Sequence, residues 1–139
     1  MRVRSGTEQV FVVEDNPADV ALIRVVLSGL RFPPTMLVAR DGEEALKMLR
    51  SPDFHPQLII LDLNMPRVDG QTVLEQYRVK NVPVVVFSST ENKAEVQRAL
   101  ALGAREYVRK PIGFQPYADA VKGIVDRWMV QVAEPANPQ

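Results

Sequence analysis

Carboxylates directly follow two of the most apolar runs in the chain. The run 10–13 ends at Glu14 and Asp15, and the run 58–61 ends at Asp62. A short continuous apolar run bounded by polar turn residues is typical of a strand buried on both faces of a parallel sheet. Ligands and reacting groups collect beyond the carboxyl ends of such strands. Asp62 is therefore either a structural cap or a reacting carboxylate.

Two further apolar runs end at residues that could complete a reactive site. Ser88 follows the run 84–87, and Lys110 follows the weaker run 106–108. Crowded carboxylates repel one another, which raises their pKa values or recruits a cation, and an all-oxygen site favours Mg²⁺. A lysine and a hydroxyl suit a phosphoryl group. Because an aspartate can itself form an aspartyl phosphate, the candidate chemistry is phosphoryl transfer to Asp62.

The elements that must position these residues alternate along the chain. Five strand signals alternate with five helical patterns, at about 17–29, 41–50, 70–80, 92–102 and 114–131. In the fourth helix the spacing places Val96, Ala99 and Leu100 on the inward side. Alternating strands and helices predict a parallel sheet covered on both faces through right-handed crossovers. The expected fold is a doubly wound α/β sandwich.

Composition limits the class of protein. The chain has 139 residues, 46% of them hydrophobic, with 17 basic residues balancing 17 acidic ones. No bulk charge indicates a nucleic-acid or membrane partner. The chain contains no cysteine, which excludes disulfides and thiolate metal sites, and it shows neither a membrane span nor a signal peptide. We expect a cytoplasmic protein with a flexible segment 1–7, one domain over 8–132 and a disordered tail 133–139.

Four motifs in order make the chain resemble a receiver domain of two-component response regulators, of the stand-alone kind found in chemotaxis. They are VVEDN at 12–16, LDLNMPRVDG at 61–70, PVVVFSS at 83–89 and GAREYVRKP at 103–111. The resemblance covers about residues 8–131 and implies a flavodoxin-like (βα)5 fold with strand order 2-1-3-4-5. It also implies a signalling switch, whose only catalysis is its own aspartyl phosphorylation and dephosphorylation.

The resemblance further implies a set of metal ligands around the phosphoacceptor Asp62. Asp15 and Asp62 would bind Mg²⁺ through their carboxylates, and Glu14 would act through a coordinated water. Asn64 would ligate the metal through its backbone carbonyl. Its side chain, two positions beyond Asp62, would tune the lifetime of the phosphoryl group.

The remaining implied roles concern the phosphoryl group and the switch. Lys110 would pair with the phosphoryl group, and its bond to Pro111 would be cis. Ser88 would donate a hydrogen bond to a phosphoryl oxygen and change rotamer, while Tyr107 would swing inward with it. Thr90, two positions beyond Ser88, would be the second tuning residue.

Partners follow from the same resemblance. A sensor histidine kinase would supply the phosphoryl group, and no direct contact with nucleic acid or membrane is expected. The opening EDNPADVALIRVVL and the position of Trp128 are similar to small regulators associated with phytochrome-type light-sensing kinases. Regulators of that group form homodimers through the fourth helix, the fifth strand and the fifth helix.

Two alternative functions remain at this point. One is a pseudo-receiver, a binding module of the same fold that is never phosphorylated. The other is a phosphatase of the dehalogenase type, which also places a nucleophilic aspartate after a parallel strand. Such an enzyme needs a second acid two residues later, where this chain has Asn64, so the phosphatase is disfavoured.

Overall fold

The computed structural model describes residues 8–65, 68–77 and 82–129. Within these ranges the strands are β1 (Gln9–Val13), β2 (Thr35–Ala39), β3 (Leu58–Leu61), β4 (Val84–Ser88) and β5 (Glu106–Arg109). The helices are α1 (Pro17–Ser28), α2 (Gly42–Leu49), α3 (Gly70–Gln76), α4 (Lys93–Ala101) and α5 (Phe114–Trp128). The five strands form one parallel sheet in the order β2-β1-β3-β4-β5. The predicted flavodoxin-like fold and its strand order are confirmed.

The continuous apolar strands are explained by two cores, one on each face of the sheet. Successive side chains of a strand point to opposite faces, so a strand covered on both sides must be apolar throughout. In β1, Phe11 and Val13 face the core shared with α2 and α3, whereas Val10 and Val12 face the core shared with α1 and α5. The two cores cover both faces of the sheet, and the carboxyl ends of its parallel strands lie on one edge.

Side-chain caps begin four of the helices just after loops at that edge. Asn16 accepts hydrogen bonds from the backbone amides of Ala18 and Asp19 at the start of α1. Asp41, Asp69 and Asn92 cap α2, α3 and α4 in the same way. Caps of this kind satisfy backbone donors that the first helical turn leaves without a partner. They therefore determine where each loop ends and each helix begins.

One prediction about the core is wrong. Leu100 was expected to point inward, but 42% of its surface is exposed, whereas the neighbouring Ala99 is fully buried. Successive residues of a helix are separated by about 100° around its axis, so burying Ala99 turns Leu100 to the side. The face of α4 that carries Leu100 is consequently open to solvent.

Two other expectations concern the ends of the chain and membranes. The predicted flexible segment 1–7 and the predicted tail 133–139 lie outside the described residues. In the part of the chain that the structure describes, no helix combines the length and the apolar character needed to cross a membrane.

Candidate functional site

Strand register brings Glu14 and Asp62 side by side. Val13 of β1 pairs with Leu61 of β3, so the residue after each strand leaves the sheet at the same level. The Asp62 amide donates to the Val13 carbonyl at 3.0 Å, which continues this pairing past the strand end. Glu14 and Asp62 are only 2% and 6% exposed. Two carboxylates are thus buried together at the edge of the sheet.

Asp15 completes an acidic cluster with these two residues. One carboxylate oxygen of each of Glu14, Asp15 and Asp62 lies within 4.8 Å of the others. Oxygen donors at this spacing, with no histidine or thiolate among them, match the preference of a hard divalent cation. The donor set therefore fits a hard divalent cation.

Lys110 reaches the cluster from the end of β5. Ser88 of β4 pairs with Arg109, and the Lys110 amide donates to the Ser88 carbonyl at 2.8 Å, which places the lysine directly beyond the sheet. Its Nζ lies 2.7 Å from Glu14 Oε1 and 3.6 Å from Asp62 Oδ2. The side chain of Lys110 is 9% exposed. A nearly buried cation thus faces the candidate phosphoacceptor.

Burial and charge set the ionisation of this pair. Burial and the neighbouring Asp62 carboxylate raise the pKa of Glu14 to about 7, against the opposing effect of Lys110. Burial alone would lower the pKa of Lys110, but the hydrogen bond to Glu14 and the charge of Asp62 raise it overall. Lys110 therefore stays charged, while the surplus of negative charge favours uptake of a proton or a cation.

Asn64 and Ser88 lie together on the other side of Asp62. The Asn64 amide nitrogen of the backbone donates to Asp62 Oδ1 at 3.2 Å, and its side-chain Nδ2 donates to Ser88 Oγ at 3.4 Å. Ser88 is completely buried. The neighbouring Ser89, rather than Ser88, lines the open cleft of about 430 Å³ that contains Asp62 and Lys110. Reaching that cleft would require the Ser88 hydroxyl to leave its contact with Asn64.

Tyr107 is joined to the loop that follows Ser88. Its hydroxyl donates to the backbone carbonyl of Thr90 and lies 3.5 Å from that of Ser88. Burial raises the pKa of Tyr107, so its hydroxyl remains protonated and able to donate. The Thr90 side chain accepts from the Asn92 amide at 3.2 Å, just before α4. The two predicted residues, Tyr107 and Thr90, are therefore in direct contact at one loop.

The expectation of a cis bond before Pro111 is wrong. The described residues contain no cis peptide bond, so the Lys110–Pro111 bond is trans. The tertiary amide before a proline has only a small preference between the two isomers. The position of Lys110 against Glu14 is reached here with the commoner isomer.

Asp19 and Tyr117 belong to the site but were not found by sequence analysis. Asp19 Oδ2 lies 3.2 Å from Lys110 Nζ, and its Oδ1 accepts from the Tyr117 hydroxyl at 2.6 Å. In the sequence, Asp19 reads as an ordinary acidic residue of a first helical turn, and Tyr117 as part of an apolar stripe. No local signal indicates that α1 and α5 bring them together.

Fold and site together define a receiver domain, and comparison with known proteins shows the family. The family model described as "Response regulator receiver domain" matches residues 10–122. The chain belongs to this family of two-component signalling, and it is a signalling module rather than an enzyme.

Response regulators of nearly the same length are among the proteins that the chain is similar to. The chain is 31% identical over 136 residues to "Response regulator Rcp1" of Synechocystis, covering 91% of this chain and 92% of that protein. It is similar to the phosphorylated cyanobacterial phytochrome response regulator RcpA, with a TM-score of 0.84 and 32% identity, covering 94% of this chain and 99% of the other. The Mn²⁺-bound form of Rcp1 gives a TM-score of 0.81 with 32% identity, covering 93% and 99%.

Proposed function

We propose that this chain is a stand-alone phosphorylation switch that accepts a phosphoryl group on Asp62 from a sensor histidine kinase, with Mg²⁺ as cofactor. One observation carries the proposal: one Asp62 carboxylate oxygen lies within 4.8 Å of carboxylate oxygens of Glu14 and Asp15, and Asp62 lies 3.6 Å from the Lys110 ammonium. A carboxylate that lies beside both a candidate metal site and a nearly buried cation has the surroundings that phosphoryl transfer requires.

These residues support direct transfer of the phosphoryl group from a phosphohistidine to Asp62. An Asp62 carboxylate oxygen attacks the phosphorus of a phosphohistidine, forming an O–P bond as the N–P bond to the imidazole breaks. The electron pair of that bond stays on the imidazole nitrogen, and no proton is removed from Asp62. Asp15, Asp62, Glu14 through a water and the Asn64 backbone carbonyl would hold Mg²⁺, which would supply positive charge to the phosphoryl and carboxylate oxygens. Lys110, with its ammonium 3.6 Å from Asp62, pairs with the phosphoryl group.

Ser88 and Tyr107 connect this step to the surface. A phosphoryl group on Asp62 attracts the Ser88 hydroxyl, which must then give up its contact with Asn64 Nδ2. Because Tyr107 donates to the Thr90 carbonyl just beyond Ser88, a shift of this loop also moves the aromatic ring. Thr90 and Asn64 tune the lifetime of the phosphoryl group. A bias of a few kcal/mol is enough to shift such a two-state equilibrium, as for other regulators.

The output is a change in the surface formed by α4, β5 and α5, which serves protein partners and a homodimer. Leu100 of α4 is exposed on this surface, and Trp128 of α5 donates to Glu106 of β5 at 2.7 Å. One of the relatives above, RcpA, is described as a phytochrome response regulator, which supports a phytochrome-type kinase as the phosphodonor. We place this signalling in the cytoplasm.

The two alternatives receive less support. A pseudo-receiver would have no need for the complete set of Asp62, Lys110 and the acidic pair, which the fold brings together. A dehalogenase-type phosphatase lacks its second acid, because Asn64 occupies that position and its amide nitrogen contacts Ser88.

The test is incubation with acetyl phosphate and Mg²⁺ followed by intact mass measurement. Wild type should gain one phosphoryl group, and Asp62→Asn should gain none. Asp53→Asn, which changes an exposed aspartate outside the site, is the matched control and should be labelled like wild type. Equal labelling of Asp62→Asn, or an unlabelled wild type that is shown to be folded, would overturn the assignment. Release of free phosphate in many turnovers would favour the phosphatase.

A further inference from the structure

The Asp19 carboxylate joins two elements that lie far apart in the sequence. Its Oδ2 lies 3.2 Å from Lys110 Nζ, and its Oδ1 accepts a hydrogen bond from the Tyr117 hydroxyl at 2.6 Å. Asp19 lies in the first turn of α1, which Asn16 caps and Pro17 begins. Both carboxylate oxygens are thus engaged, one by the lysine of the site and one by α5.

Tyr117 is held firmly enough to fix the carboxylate. Only 4% of its surface is exposed, and its ring packs against Phe87 with centroids 5.1 Å apart and planes inclined by 65°. An edge-to-face pair in a packed core leaves a ring little freedom, and a buried tyrosine hydroxyl requires a partner. The core therefore determines the position of the hydroxyl, and the hydroxyl determines that of Asp19.

Asp19 and Glu14 both contact Lys110, but only Glu14 belongs to the acidic cluster that could also bind a metal. The other members of that cluster are Asp15 and Asp62. A cation bound by that cluster competes with Lys110 for Glu14. That cation does not compete for Asp19, whose Oδ2 keeps its contact with the lysine.

We propose that Asp19, held by Tyr117, is a positioning residue that keeps the Lys110 ammonium beside Asp62 when the metal engages Glu14. The inference rests on the proposed phosphorylation of Asp62. In this role Asp19 acts on the reaction through its contact with the lysine. Reactions of bound groups are sensitive to displacements of about 1 Å, so loss of this anchor slows phosphoryl transfer.

The measurement is the rate of Asp62 phosphorylation by acetyl phosphate over a range of Mg²⁺ concentrations. Asp19→Asn should lower the maximal rate roughly tenfold, because the lysine loses its anchor. Tyr117→Phe, which keeps the ring in the core, should lower it roughly threefold, as expected for one hydrogen bond. The Mg²⁺ concentration that gives half the maximal rate should stay the same in both variants. Asp119→Asn, on the exposed side of α5, is the matched control and should leave the rate unchanged.

Double variants separate positioning from general damage. Tyr117→Phe should have no further effect in the Asp19→Asn background, since the tyrosine acts through Asp19. In the Lys110→Ala background, Asp19→Asn should not change the residual rate. Independent, multiplicative effects of Tyr117→Phe and Asp19→Asn, or a wild-type rate for Asp19→Asn, would overturn the inference.

Failure of this inference can be told from failure of the proposed function. If wild type is labelled on Asp62 and Asp19→Asn reacts at the same rate, only the positioning role is lost. If folded wild type is not labelled on Asp62, the proposed function fails and the inference fails with it. Thermal unfolding of each variant establishes that the rates compare folded proteins.

Discussion

Lys110 donates to Glu14 across 2.7 Å, while the same ammonium lies 3.6 Å from Asp62. The Lys110 ammonium is therefore hydrogen-bonded to Glu14 and lies farther from Asp62, the candidate phosphoacceptor. Since Glu14 is also part of the acidic cluster, a bound metal and the ion pair with Lys110 would compete for the same carboxylate.

Lys110→Met should destabilise the protein in the absence of divalent metal. Removing one partner of a buried ion pair leaves the other charge unpaired, which costs about 3 kcal/mol. We expect that loss in the free energy of unfolding measured with urea in EDTA. Adding Mg²⁺ should restore much of this free energy, because the cation neutralises the negative charge of the same carboxylates. Lys122→Met, on an exposed face of α5, is the control and should change little. A loss that Mg²⁺ does not reduce would contradict this account of the charges.

Glu14 should make the metal-free protein less stable as the pH rises. Its pKa is raised to about 7 from 4.5, mainly by burial and by Asp62, so the folded protein keeps a proton that the unfolded chain has released. The stabilisation from that proton is complete below about pH 4.5 and is lost as the pH rises through about 7, with a slope of up to about 1.4 kcal/mol per pH unit.

Glu14→Gln removes the titrating group while keeping its shape. Over the range from about pH 4.5 to about 7, the free energy of unfolding of wild type should fall relative to that of the variant. Urea unfolding in EDTA at several pH values in this range measures the difference in free energy of unfolding between the two proteins. The contributions of titrating groups common to both proteins largely cancel in this difference. Parallel curves would show that Glu14 does not titrate in this range.

Gly70→Ala should damage the loop that carries Asp62. A Cβ atom at Gly70 would lie 2.5 Å from the Asp62 carbonyl oxygen and 2.7 Å from Leu63 Cα, both of them backbone atoms that cannot turn aside. Overpacking of this kind costs about 1–3 kcal/mol, and we expect slower phosphorylation as well because the Asp62 backbone must shift. Gly29→Ala is the control, since its nearest contacts would be 3.6 Å away. Unfolding and acetyl phosphate assays on the two variants test the contrast.

Leu100→Glu should weaken the proposed homodimer without affecting phosphorylation. Leu100 is exposed on α4, within the surface formed by α4, β5 and α5, where a charge would have to be buried on association. Val25→Glu, on the exposed side of α1, introduces the same charge at another apolar position, 59% exposed, and is the control. Light scattering with and without the phosphoryl mimic beryllofluoride measures the mass. A dimer that survives Leu100→Glu but not Val25→Glu would place the interface on α1.

Much of the site could be predicted from local sequence because it depends on strand ends. Asp62 and Ser88 each stand where an apolar run stops, and the carboxyl ends of parallel strands must converge on one edge. The alternation of strands and helices predicted the doubly wound sandwich, and the resemblance to receiver domains implied its strand order; the structure confirms both. The roles assigned to the individual site residues remain predictions until the variants are measured.

Contacts between residues far apart in the chain could not be predicted from the sequence pattern and are determined by the tertiary structure. The hydrogen bond between Asp19 and Tyr117 joins residues 98 positions apart, and it exists because α1 and α5 pack on the same face of the sheet. The prediction that Leu100 points inward is wrong for a related reason. The spacing of apolar residues does not determine which side of a short helix packs on the core. Thus the sequence by itself determined which groups stand at the ends of the strands. The contacts of Lys110 with Glu14 and Asp19 were determined only by the packing of the helices, because they depend on distances between elements that are far apart in the sequence.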